Sequence, residues 1–149
     1  MINIYISSSL KGLKRQSGVV GYVIERTQLE EVQAKSRFGV VKEVSDNQAQ
    51  LLALQFALKD ITYDISNGSG LTIWTENQYV ANAFEQDWIK GWIQRDWKTA
   101  KGVEVANREE WEKVLKILSG TVPTFEVKKR HSYQEWLVRE VERRAKKYV

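Results

Sequence analysis

The chain has 149 residues, 42% of them hydrophobic and 28% charged, with a formal net charge of +4 and a sequence pI near 9.2. This suggests one domain (1–149), soluble and long enough to bury a core, and its basic balance leaves room for a polyanionic partner. The absence of cysteine excludes disulfides, thiolate metal sites and a cysteine nucleophile.

The N-terminus "MINIYISSSL" lacks a basic segment before an apolar one, so it does not read as a signal peptide. No run approaches the roughly 18 apolar residues of a membrane span. The expectation is a cytoplasmic protein with no membrane partner.

"INIYIS" alternates, with Ile2, Ile4 and Ile6 on one face and Asn3, Tyr5 and Ser7 on the other, which predicts a half-buried strand. A loop follows, carrying Lys11, Lys14 and Arg15. "VVGYVIE" (19–25) and "EEVQAKSRFGVV" (30–41) read as the second and third strands, with Gly18 and Gly39 at turns or bulges. Helical period starts at Ser45, where Ser45-x-x-Gln48 forms a capping box. Leu51, Leu54, Gln55, Leu58 and Ile61 then share a side, widened by Leu52, Phe56 and Ala57. After the loop "SNGSG" (66–70), "LTIWT" (71–75) is a short buried strand meeting Glu76, and Asn77 opens a helix to about Phe84. A short helix covers 86–94, a polar loop 94–106, and Asn107-x-x-Glu110 reads as a second capping box. The helix it starts carries Trp111, Val114, Leu115 and Leu118 on one face and stops at Gly120. "TFEVKK" (124–129) is a strand, and 134–149 a last helix, basic towards its end as the macrodipole favours. Three leading strands followed by alternating helices and strands predict an α/β (α+β) fold: a mixed sheet flanked by helices.

This order resembles type 1 ribonuclease H. "INIYISSSL" is similar to the family's first strand, "SDNQAQLLALQFAL" to its first helix, and "TIWTENQYVANAF" to its fourth strand and next helix. "WIKGWIQRDWKTAKGVEVANREEWEKV", with Trp88, Trp92, Trp97 and Trp111, resembles the basic handle (about 86–106) and the helix after it. "VKKRH" (127–131) fits the last strand and a shortened histidine loop. The resemblance implies a ribonuclease H-like fold with a five-stranded mixed sheet.

The family cleaves the RNA strand of an RNA–DNA hybrid with two Mg²⁺ ions, about 4 Å apart, held by four carboxylates. Carried over residue by residue, the first Asp falls on Ser7, the Glu on Gln50, the second Asp on Glu76 and the last near Glu140, with Glu135 a poorer match. The histidine falls on His131, the only one in the chain. Ser7 and Gln50 offer neutral oxygens, and Glu76 is one methylene longer than Asp, against a positional tolerance of ~0.5 Å. Two-metal catalysis is expected to be absent or very weak. Loose binding of one Mg²⁺ or Mn²⁺ by Glu76 and Glu140 is the remaining metal reading. Asp46, one turn before Gln50, could approach a cation only if the helix end shifted.

Each feature also has a plainer reading. Glu76 is a solvated acid at a sheet edge, and His131 an ordinary loop residue rather than an aid to product release. The tryptophans hold the handle together. Lys11, Lys14 and Arg15 lie near the site and could meet phosphates. Ser45 matches a family position that bonds a DNA phosphate, and Gln78 one that meets the minor groove. Lys90, Trp92, Arg95 and Lys98 belong to the handle surface, where Asp87, Asp96 and Glu104 dilute the positive charge. The run Arg139, Arg143, Arg144, Lys146 and Lys147 reads as a solvated face.

Three functions follow. The first is a nucleic-acid-binding domain for RNA–DNA hybrid or duplex with a largely lost nuclease site. The second is a weak metal-dependent hybrid ribonuclease, and the third a protein-interaction scaffold.

Overall fold

A computed structural model describes residues 1–148. Strands β1 (Ile2–Ser8), β2 (Gln16–Gln28) and β3 (Glu31–Val44) form the antiparallel meander, followed by helices α1 (Asp46–Asp60) and α2 (Thr62–Ser66). Strand β4 (Leu71–Thr75), helices α3 (Gln78–Glu85), α4 (Trp88–Gln94) and α5 (Arg108–Leu118), strand β5 (Thr124–Val127) and helix α6 (Ser132–Ala145) complete it. The five strands make one sheet in the order β3-β2-β1-β4-β5. β1 pairs antiparallel with β2 and parallel with β4, and β4 pairs parallel with β5. The mixed five-stranded sheet with flanking helices is the expected architecture.

β1 is the central strand, and both of its faces are covered. Ile2, Ile4 and Ile6 enter the larger core with Leu51, Leu54 and Leu58 of α1. The opposite face was expected to meet solvent, yet Tyr5 and Ser7 are buried, because Leu137 and Val141 of α6 pack there with Tyr5, Val19 and Val23. Gly21, paired with Ser7, makes this close approach possible. A Cβ there would lie 2.7 Å from the Phe38 ring and 3.1 Å from Leu137.

Several local expectations change. Ser45 caps α1 as predicted, accepting from the Gln48 amide at 3.1 Å. The Gln48 side chain does not reach back, however, but donates to Glu110 on α5 at 3.0 Å. Glu110 is thereby used, and Asn107, left-handed with φ 61°, makes no side-chain cap, so the second box does not form. Asn77 does cap α3, accepting from the Val80 amide at 3.2 Å. Phe56 is exposed beside Lys59 rather than widening the apolar face. Gly39 sits in regular pairing with Val20, whereas the strand irregularity falls at Gln16/Gly18. β5 stops at Val127 because Lys128 turns the chain with φ 55°. α6 starts at Ser132, two residues early, and ends at Ala145. Val149, expected as its last residue, lies outside the described residues.

Candidate functional site

The parallel strands β1, β4 and β5 all point their C-terminal ends to one edge, where ligands of α/β sheets commonly bind. Tyr5 pairs with Trp74, and Trp74 with Glu126. Ser7 near the end of β1, Glu76 just past β4 and Lys128 just past β5 form a row along this edge. The Lys128 amide donates to Thr75 O at 2.9 Å, which holds this end of the row in place.

Around the row, two helices and two strands deliver uncharged polar groups. Ser7 is 3% exposed. Gln50 of α1 is equally buried, and its Oε1 accepts from Thr75 Oγ1 at 3.0 Å. Thr75 Oγ1 in turn accepts from the Asn77 amide at 3.0 Å, linking α1, β4 and the start of α3. Gln134 of α6 donates from Nε2 to Ile6 O at 3.0 Å, one residue before Ser7. Its Oε1 is buried and has no donor among the described residues. Ser7, Gln50, Thr75 and Gln134 are four of the five buried polar residues of the described chain, Gln55 being the other. Burial of polar groups is costly, so this concentration marks the edge as the distinctive feature of the interior.

Gln134 was not singled out because the sequence places the start of the last helix at residue 134, whereas α6 begins at Ser132. Its spacing from Leu137 and Val141, three and seven residues on, was the available clue to a buried helix face. Glu140, expected as the last acid of the site, lies six residues beyond Gln134, or about 9 Å along the helix axis. Its carboxylate instead accepts from Arg143 at 2.8 and 3.0 Å and from Arg144 at 3.4 Å. The Arg143 hydrogen bonds, helped by Arg144, hold its pKa down at about 2. Glu135 is exposed, and so is Glu76. Asp46 is turned to Asn77, accepting from Nδ2 at 3.1 Å through Oδ2, while its Oδ1 is buried without a partner among the described residues.

His131 is the N-cap of α6. Its Nδ1 accepts from the Tyr133 amide at 3.1 Å, so in the neutral ring Nε2 carries the proton and faces Tyr5 OH at 3.3 Å. The ring is wedged among Tyr5, Trp74 and Tyr133, with centroids 4.9 to 5.4 Å away. Tyr5 OH donates to Glu25 Oε1 at 3.3 Å. Burial, then the Glu25 carboxylate, pushes the Tyr5 phenol far above its ordinary pKa. These contacts give His131 a positional role in starting the helix that carries Gln134.

The expected nucleic-acid contacts divide into engaged and open groups. Lys11 pairs with Glu142 at 2.9 Å, and Arg15 donates to Glu43 O. Arg95 Nε donates to Lys98 O at 3.2 Å. Ser45 Oγ accepts the cap bond, and Gln78 donates to Asn82 at 2.8 Å on an exposed turn. Lys14, Lys90 and Lys98 are exposed with no ion pair among the described residues. Trp92, Trp97 and Trp111 are buried, with Trp92 in tilted ring contact with both of the others, whereas Trp88 is 37% exposed.

A two-Mg²⁺ site needs hard anionic oxygens to offset the charge of the ions. Here Ser7, Gln50 and Gln134 are neutral, the Gln50 oxygen is already hydrogen-bonded, and Glu76 is the lone carboxylate of the row. No group of three or more His, Asp or Glu side chains converges among the described residues. This donor set does not fit two divalent ions.

The chain matches the family model RNase H over residues 2–134. A ribonuclease H of Lachnoclostridium phytofermentans is 28% identical over 117 residues, covering 76% of this chain and 70% of the relative. Ribonucleases H of Nitratidesulfovibrio vulgaris (strain DP4) and Caldicellulosiruptor saccharolyticus are 33% and 31% identical, and the chain spans 54% and 62% of their length. Among solved structures, LC9-RNase H1, described as a type 1 RNase H with the type 2 active-site motif, superposes with a TM-score of 0.77 at 17% identity. That match covers 99% of this chain and 73% of the other. LC11-RNase H1, solved in complex with an RNA/DNA hybrid, gives 0.65 at 17% identity, over 97% of this chain and 99% of the other. With the fold and the matched residues in agreement, the chain belongs to the ribonuclease H family.

Proposed function

We propose that this chain is a ribonuclease H-family domain that binds RNA–DNA hybrid, or a related duplex, without cutting it. The observation that carries this reading is the buried trio Ser7, Gln50 and Gln134, set around the C-terminal ends of the parallel strands. In this reading they occupy three of the four positions at which the family holds acids. Neutral groups there remove the charge that would retain two Mg²⁺ ions, and with it the means of activating water and stabilising the leaving oxygen. The duplex-facing groups remain. Lys14, the handle cations Lys90 and Lys98, and the exposed amide of Gln78 supply charge and hydrogen bonds to a phosphate backbone. The related LC11-RNase H1, solved with an RNA/DNA hybrid, supports the assignment of partner.

The test is a labelled RNA–DNA hybrid incubated with the protein in Mg²⁺ and in Mn²⁺, with Glu76→Ala in parallel. A mobility shift without cleavage is the expected result. Cleavage that Glu76→Ala abolishes would restore the enzyme reading. Absence of a shift at low salt would remove the nucleic-acid reading and leave the scaffold.

A further inference from the structure

The inference concerns the segment between β5 and α6, and it rests on the nucleic-acid-binding reading above. Lys128, Lys129 and Arg130 follow one another, are exposed, and form no ion pair among the described residues. Both ends of the segment are fixed. The Lys128 amide is bonded to Thr75 O at 2.9 Å, and His131 is locked as the cap of α6 by Tyr133 N and the surrounding aromatic rings. The three cations therefore hang between two pinned points at the same edge as Ser7 and Glu76.

On the loop after β1, Lys14 is open, and the other cations of that loop and of the far part of α6 are engaged. Lys11 meets Glu142, Arg15 meets Glu43 O, and Arg143 and Arg144 meet Glu140. Together with Lys14, the 128–130 segment supplies open positive charge at this end of the sheet, following directly on β5. In a two-metal site, divalent ions stand between carboxylates and phosphate. Here amide and hydroxyl groups stand at the strand ends, and exposed side-chain cations follow directly on β5. Neutralising the acids lifts the repulsion that a phosphodiester would otherwise meet without metal.

We propose that Lys128, Lys129 and Arg130 hold successive phosphodiesters of the nucleic-acid backbone directly at this edge, so that binding needs no divalent cation. Pinned ends limit the ordering cost of such contacts. The contact is to backbone, so it adds affinity without sequence preference.

The experiment follows anisotropy of a labelled RNA–DNA hybrid with the full chain, in excess EDTA and in Mg²⁺, across a salt series. K128Q/K129Q/R130Q is compared with wild type, with R130Q alone, and with K35Q/K42Q on β3 as the control. Wild type is expected to bind equally in EDTA and Mg²⁺. The triple variant should bind about tenfold or more weakly, with a log–log salt slope shallower by about 3, R130Q alone by about 1, and the control unchanged. Matching thermal melts confirm that the exposed substitutions leave the fold intact, and R130Q carries the test if the triple variant does not fold. A triple variant that binds as wild type does overturns this proposal alone, as does wild-type binding that disappears in EDTA. Absence of binding by every protein at low salt overturns the nucleic-acid reading and this proposal with it.

Discussion

Gln50 Oε1 accepts a hydrogen bond from Thr75 Oγ1 at 3.0 Å, with both residues almost completely removed from solvent. The oxygen that would face a metal in an acidic version of this position is thus engaged in holding α1 to β4. A glutamate could accept from the same hydroxyl, but its charge would then be buried without compensation. The amide makes the interior stable without metal.

Thr75→Val removes the donor while nearly keeping the shape. It leaves Gln50 Oε1 and the Asn77 amide without their partner, and an unsatisfied buried group costs about 1–3 kcal/mol. Urea unfolding should show a lower midpoint at an unchanged slope. An unchanged midpoint would mean that the bond does not hold the edge together.

Glu140 should titrate far below an ordinary glutamate. Its pKa of about 2 results first from the Arg143 hydrogen bonds and then from Arg144. A carboxylate whose pKa is depressed on folding stabilises the protein above its unfolded value. That contribution is lost as pH falls from the ordinary carboxylate range towards 2. Carboxyl NMR should give a midpoint near 2 in wild type, with a return towards the usual range in R143A/R144A. Because Glu140 is engaged by these arginines, Glu140→Gln should leave hybrid binding unchanged.

Trp111 anchors the handle to the body. It is fully buried, its Nε1 donates to Tyr79 OH at 3.0 Å, and its ring meets Trp92 and Phe84. Trp111→Ala should cost about 3–5 kcal/mol, read as a large fall in the unfolding midpoint. Tyr79→Phe, which removes only the acceptor, should cost far less, about 1 kcal/mol.

The sequence made some of this legible and hid the rest for physical reasons. The alternation of Ile2, Ile4 and Ile6, and the cap at Ser45, are local features, and both appear in the fold. So does the run of strands and helices. Burial of Tyr5 was not legible, because it depends on α6, whose approach is set by the missing side chain of Gly21. The second capping box failed for a similar reason: Glu110 finds Gln48 across a helix interface that local sequence does not describe. Ser7, Gln50 and Glu76 were located through motifs that run on from regular strands and a helix. The expectation for the fourth position went to the acid Glu140, which Arg143 and Arg144 engage, while the α6 side chain bonded to β1 is Gln134. His131 was read as a loop residue or a catalytic aid, and its use as a helix cap depends on where α6 begins.

In the proposed function, loss of charge at the strand ends separates binding from cleavage. The most direct measurement compares wild type with S7D/Q50E/E76D/Q134D on a labelled RNA–DNA hybrid in Mg²⁺, recording shift and cleavage together. The account predicts that wild type shifts the hybrid uncut, while the restored acids cleave it and make the variant's melting temperature rise with Mg²⁺. Cleavage by wild type, lost in Glu76→Ala, would contradict it.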